Sequence, residues 1–137
     1  MRLVFDACVL VKLVYDEQDS DVAADLFRRS EAFAPDWALL ECSHALLKKR
    51  RAGFLSDDEC RERFGVLSRL ELETAESPRL LEHAQELALA LNHDVYDCLY
   101  LALAQAEDCD LVTCDEELVK AAEAAGLGSR VHTLAWD

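Results

Sequence analysis

Two segments of the chain share one design. Leu3-Val4-Phe5-Asp6 and Leu111-Val112-Thr113-Cys114-Asp115 are apolar runs that each deliver an aspartate at their C-terminal end. Two further carboxylates stand on apolar helical patterns: Glu41 within Trp37-Ala38-Leu39-Leu40-Glu41-Cys42, and Asp97 at the start of Tyr96-Asp97-Cys98-Leu99-Tyr100-Leu101-Ala102-Leu103-Ala104. Each has a plain alternative when taken singly. Asp6 and Asp115 can cap the helices that follow them, Glu41 can face solvent, and Asp97 sits where a helix dipole favours negative charge. Brought together, the four would repel one another, and a divalent cation would offset that repulsion. Hard oxygen ligands suit Mg²⁺, with Mn²⁺ able to substitute. Such an ion can activate water and stabilise both oxygens of a phosphoryl displacement. The residue types do not single out which carboxylate would take the proton.

The elements that must position these residues alternate between strand and helix. Residues 2–5 read as a buried strand ending at Asp6, followed by a helical stretch broken near Asp16 to Ser20. Asp19, Ser20 or Asp21 can cap a second helix to about Arg29. Residues 32–34 form a short strand closed by Pro35. Asp36 is the expected N-cap of a long helix to Ala52-Gly53, with Trp37, Leu40, Ala45 and Leu47 on its apolar surface. Ser56-Asp57-Asp58-Glu59 is a capping-box pattern that opens a helix to about Arg69. Leu70, Leu72 and Thr74 suggest a strand, and Ser77-Pro78 opens a helix to Leu91. Asp94 reads as the N-cap of a helix from Val95 to about Glu107, apolar nearly all round and therefore buried. Residues 110–114 are a strand, a helix starts near Asp115 and ends at Gly126 and Gly128, and 131–134 form a last strand. This alternation predicts one α/β domain over residues 1–137, a three-layer α/β/α sandwich on a mostly parallel sheet. In such sheets ligands bind beyond the carboxyl ends of the strands, where Asp6 and Asp115 fall.

Other constellations offer rival chemistry. Cys8, Cys42, Cys98 and Cys114 each lie within two residues of one of the four acids, so a mixed zinc site is conceivable, although no zinc-ligand pair spacing is present. Glu41-Cys42-Ser43-His44 has the Glu-x-x-His spacing of di-iron bundles, without the second copy that chemistry needs. His44 reads as a surface or helix-packing residue, and His83, His93 and His132 carry no motif. A receiver domain or an aspartyl-phosphate phosphatase would want a further acid close after Asp6, where Ala7 and Cys8 stand. Lys48-Lys49-Arg50-Arg51 is the one basic run. It is either a solvated helix C-terminus or a contact for a phosphate backbone, since Lys48 lies seven residues beyond Glu41 on nearly the same face, roughly 10 Å away. Arg28 and Arg29 could extend it.

A formal net charge of −14 argues by itself against a general nucleic-acid binder, whose affinity comes from Lys and Arg. It leaves any such attraction to bound cations and to the basic run. An apolar fraction of 52 % with only four glycines and two prolines favours helices with short connections over a turn-rich all-β fold. Six cysteines without a CxxC pair, and no signal-peptide pattern, make a cytoplasmic location with reduced thiols the expectation. No apolar run reaches the length of a membrane span.

Four blocks in order then reach a family. They are Val4-Phe5-Asp6-Ala7-Cys8-Val9-Leu10-Val11-Lys12, Pro35-Asp36 through Glu41, His93-Asp94-Val95-Tyr96-Asp97 with the apolar run after it, and Leu111-Val112-Thr113-Cys114-Asp115. Over essentially its whole length the chain resembles the PIN-domain ribonucleases, most closely the VapC-type toxins of prokaryotic toxin–antitoxin pairs. The resemblance maps the family's acidic quartet onto Asp6, Glu41, Asp97 and Asp115, and puts Thr113 where a hydroxyl residue often stands. Cys8 departs from a common serine, and a thiol is the weaker hydrogen-bond partner. The resemblance implies Mg²⁺-dependent endoribonuclease activity, an RNA substrate, a cognate antitoxin and a homodimer. A catalytically silent partner-binding module with the same fold is the alternative.

Overall fold

A computed structural model of the chain describes residues 1–135. Five strands, β1 (Arg2–Phe5), β2 (Glu31–Pro35), β3 (Leu72–Ala75), β4 (Asp110–Val112) and β5 (Val131–His132), form one sheet in the order β3-β2-β1-β4-β5. Every pairing is parallel, so the expected mostly parallel sheet is wholly parallel among the described residues. Seven helices are described with it: α1 (Ala7–Lys12), α2 (Ser20–Arg28), α3 (Ala38–Arg51), α4 (Asp57–Leu67), α5 (Ser77–Leu91), α6 (Val95–Ala106) and α7 (Glu116–Ala124).

The chain walks from β1 outward to β3, then returns across the sheet to β4 and β5. Right-handed crossovers put the helices of the outward walk on one face and those of the return on the other. The helix contacts divide the same way, with α1 against α2 and α3, α3 against α4, and α5 against α6 and α7. This is the three-layer sandwich expected from the alternation. Coverage on both faces explains why Leu3, Val4, Phe5, Leu111 and Val112 are all buried rather than alternating. The walk reverses between β1 and β4, so the switch point of the sheet lies beyond Phe5 and Val112, at Asp6 and Thr113.

α6 is the central helix of its layer. Cys98 through Ala104 are all buried, and the helix packs on β1, β2 and β4 as well as on α5. Three residues join its end to β4, so its first turn lies at the opposite, carboxyl edge of the strands. The capping box at Ser56 is present in full, with Ser56 accepting from the Glu59 amide and Glu59 from the Ser56 amide.

Several expectations are corrected. Asp36 does not cap α3. Its amide donates to the Ala75 carbonyl at 2.8 Å and its carboxylate accepts from the Ser77 hydroxyl, so it ties β2 to the start of α5. Trp37 takes the cap position without a side-chain bond. The buried face of α3 is Ala38, Cys42 and Leu46, whereas Leu40 and Leu47 are exposed. The third strand begins at Leu72 rather than Leu70. The fourth ends at Val112, and the last is only Val131–His132. Among the described residues, no helix is long and apolar enough to cross a membrane.

The contrast between two leucines on helices tests this packing. Leu101 is 0 % exposed and Leu40 is 72 % exposed. Leu101→Ala should cost about 2–5 kcal/mol by urea unfolding. Leu40→Ala should stay within about 0.5 kcal/mol of the parent chain.

Candidate metal centre

Asp6 follows the last residue of β1 and is 4 % exposed. A buried carboxylate needs partners. The hydroxyl of Thr113, itself 0 % exposed, donates to Asp6 Oδ2 at 2.7 Å. The same hydroxyl oxygen accepts the Asp115 amide at 3.1 Å. One threonine therefore fixes Asp6 and the start of α7 together across the switch point. Cys8 supports Asp6 and also acts beyond it: its Sγ accepts the Cys114 amide at 3.1 Å, bracing the β4–α7 loop.

Asp115 caps α7, accepting from the amides of Glu117 and Leu118 through Oδ1. Its Oδ2 lies 3.6 Å from His93 Nε2. Capping and a place in the cluster are thus served by different oxygens of one carboxylate. Asp94 likewise caps α6, accepting the Asp97 amide at 2.8 Å, as its spacing predicted. Asp97, in the first turn of α6, bonds His93 Nε2 through Oδ2 at 2.7 Å. Glu41, one turn into α3, accepts the Tyr100 hydroxyl at 3.5 Å, which links α3 to α6 above the sheet edge. Trp37 packs edge-on against both Tyr96 and Tyr100 and sets the approach of the two helix starts.

The four acids are thus brought to one edge, where Asp6 and Asp97 act on Glu41, and Asp6 and Asp115 on Asp97. Burial, then the charges of Asp6 and Asp97, pushes Glu41 up to about 7. Burial also pushes Asp97 up to about 7, helped by Asp6 and Asp94 and opposed by the His93 bond. Burial raises Asp6 against the Thr113 hydroxyl and the Ala7 and Cys8 amides. Carboxylates held this far above their usual range lack compensating positive charge. An oxygen-rich donor set with a deficit of positive charge fits a hard divalent cation.

His93 corrects the reading that it carries no motif. Its Nε2 faces Asp97, Asp115 and, at 3.8 Å, Asp94. Burial works against its charged form, but the Asp97 bond and the three neighbouring charges outweigh it and raise its pKa. Two signals in the sequence pointed to the overlooked residues: His93 stands four before Asp97 across the Asp94 cap, and Tyr100 stands three after it. The rival zinc set gains no support. Among the described residues the cluster with three ligand atoms in mutual reach, within 4.8 Å, is His93, Asp94 and Asp97, with no cysteine in it.

Two grooves flank Glu41. One, of about 660 Å³, lies between α3 and α6 beside Trp37, Tyr96 and Asp97. The other, of about 460 Å³, runs along α3 to Lys48 and Lys49. Lys49 is engaged by Glu17 at 3.3 Å and lies over the Tyr15 ring. Lys48 is exposed and makes no ion pair among the described residues. Arg50 and Arg51 line a different groove with Asp57, and Arg50 pairs with that aspartate. Arg28 and Arg29 both pair with Asp25 and precede β2, at the opposite edge of the sheet. They cannot extend the basic rim beside Glu41.

An acidic pocket at the switch point of a wholly parallel sheet, reached by α3 and α6 from opposite layers, defines a class of α/β proteins, and comparison with known proteins narrows it. Residues 3–124 match the model of the PIN domain, and the chain belongs to the PIN domain family. It is 31 % identical over 123 residues to Ribonuclease VapC3 of Pyrobaculum aerophilum, covering 88 % of this chain and 94 % of that one. The fold is similar to the crystal structure of PAE2754 from Pyrobaculum aerophilum, with a TM-score of 0.72 at 18 % identity over 98 % of this chain and 85 % of that one. It is also similar to VapBC2 from Rickettsia felis, bound there to a DNA fragment from its promoter. That TM-score is 0.65 at 16 % identity, over 88 % of this chain and 93 % of that one.

The raised carboxylates make a signed prediction. A carboxyl whose folded pKa exceeds its unfolded value stabilises the fold below the unfolded value and loses that contribution as pH rises through the folded one. For Glu41 that window runs from 4.5 to about 7. For Asp97 it runs from 3.8 to about 7. In chelator, the melting temperature should fall across this window, and Glu41→Gln should flatten the fall. Added Mg²⁺ should raise the melting temperature more above the window than below it.

Proposed function

We propose that the chain is a divalent-cation-dependent endoribonuclease, the toxin of a type II toxin–antitoxin pair. One observation carries the proposal: at the carboxyl edge of the sheet, burial and the charges of Asp6 and Asp97 act on Glu41, while burial, Asp6 and Asp115 act on Asp97. The family match and the relative named a VapC ribonuclease support RNA as the substrate. The likeness to a VapBC structure supports an antitoxin as partner. A homodimer belongs to the same proposal.

In this reading the four carboxylates hold one or two Mg²⁺, with Mn²⁺ able to substitute. Once bound, the cation supplies the positive charge that eases ionisation of a water and stabilises a phosphate under displacement. The chain's own groups do the positioning. Thr113 aims Asp6 and Tyr100 aims Glu41, and His93 stands between Asp97 and Asp115. Lys48, on the groove it shares with Glu41, meets the phosphate backbone of the RNA, and Lys49 adds to it when it leaves Glu17. This confines RNA attraction to one rim of a chain whose net charge is −14.

Asp6→Asn and Asp97→Asn should each abolish Mg²⁺-dependent cleavage of RNA in a gel assay. Wild-type cleavage by either variant would refute the proposed site. Lys48→Ala should weaken RNA binding across sequences and lower the salt slope of the affinity by about 1. An unchanged slope would remove Lys48 from the interface.

A further inference from the structure

His93 occupies the point where three carboxylate oxygens converge. Its Nε2 lies 2.7 Å from Asp97 Oδ2, 3.6 Å from Asp115 Oδ2 and 3.8 Å from Asp94 Oδ2. Asp94 caps α6, Asp97 lies in its first turn and Asp115 comes from the β4–α7 loop, so the convergence is built by tertiary structure. A cation held by Asp97 Oδ2 would come within reach of the same nitrogen. The imidazole then either leaves or joins the cation. Leaving is disfavoured, because the side chain is only 15 % exposed and is tethered directly before the Asp94 cap.

We infer that His93 is a nitrogen ligand of the cation held by this acidic edge, and that it tunes the centre toward Mn²⁺ over Mg²⁺. The inference rests on the metal-dependent reading above and deepens it. Mg²⁺ favours oxygen donors and gives up its waters reluctantly, so an imidazole in its shell is a poor exchange. First-row transition ions accept imidazole readily. Mn²⁺ combines that tolerance with an affinity for carboxylates, and the donor set here is carboxylate-rich with one nitrogen. The rival role for His93 is to orient Asp97 through their hydrogen bond without touching the cation.

Pulsed electron paramagnetic resonance of the Mn²⁺-loaded wild-type protein separates these roles, because a directly bound imidazole imprints nitrogen coupling on the Mn²⁺ signal. The expected result is that coupling, absent in His93→Gln. Calorimetry with each metal should show Mn²⁺ binding tighter than Mg²⁺ in the wild type. His93→Gln should weaken Mn²⁺ more than Mg²⁺ and so narrow the preference. Bound Mn²⁺ without nitrogen coupling, or an unchanged preference in the variant, overturns the ligand role while leaving the proposed function standing. Failure of the wild type to bind either metal overturns both. Because the coupling is read on the wild type, the test survives a variant that folds poorly.

Discussion

The structure depends on keeping one ionisable carboxylate, that of Asp6, at the closed end of a central strand. Asp6 emerges from β1 at the point where the sheet reverses direction, and it is almost without solvent. A charge there is unfavourable by desolvation. The surrounding contacts answer that cost piece by piece. The hydroxyl of Thr113 takes one oxygen, and the same hydroxyl sets the register of Asp115 at the start of α7. What remains uncompensated is shared with Glu41 and Asp97, whose carboxyls are both held near neutrality in their proton affinity. The edge therefore resists carrying its full negative charge, and the fold tolerates it because the sheet and α6 beneath it are thoroughly packed.

This arrangement also bears on an apparent conflict. A strongly acidic chain is a poor partner for RNA in general, since the phosphate backbone is attracted by Lys and Arg. Here the cations are not spread evenly. The basic run at the end of α3 is split by the helix: Lys48 and Lys49 turn toward the groove of Glu41, whereas Arg50 and Arg51 turn toward Asp57. Arg28 and Arg29 lie at the far edge with Asp25. The cations of the basic run and of α2 are thereby divided between different faces of the chain.

Much of the site was legible in the residues. Asp6, Asp97, Asp115 and the Asp94 cap were marked by position, at strand ends, a helix start and a cap spacing, Glu41 by its charge amid apolar helix residues, and Thr113 by the family resemblance. Their marks are local, set by three or four neighbours. His93 and Tyr100 left weaker marks, because each acts through a partner that its own segment only partly reveals. His93 bonds Asp97 on the helix that follows it, but its meaning comes from Asp115 on another element. Tyr100 lies in a run of apolar residues that reads as core, and its hydroxyl reaches Glu41 across 59 positions of sequence.

The sequence by itself determined the alternation of strands and helices, the burial of α6, and which carboxylates stand at element ends, since hydrophobic period and capping chemistry are short-range properties. It misassigned Asp36, Leu40 and the reach of Arg28 and Arg29. Those depend on what lies opposite: Asp36 answers to Ser77 on the next unit, Leu40 to the side of α3 that the sheet leaves bare, and the arginines to the edge on which α2 ends. Only the tertiary structure decided that the four acids share one edge with His93 among them. Convergence is set by the strand order β3-β2-β1-β4-β5, and strand order is a property of the whole packed sheet rather than of any segment in it.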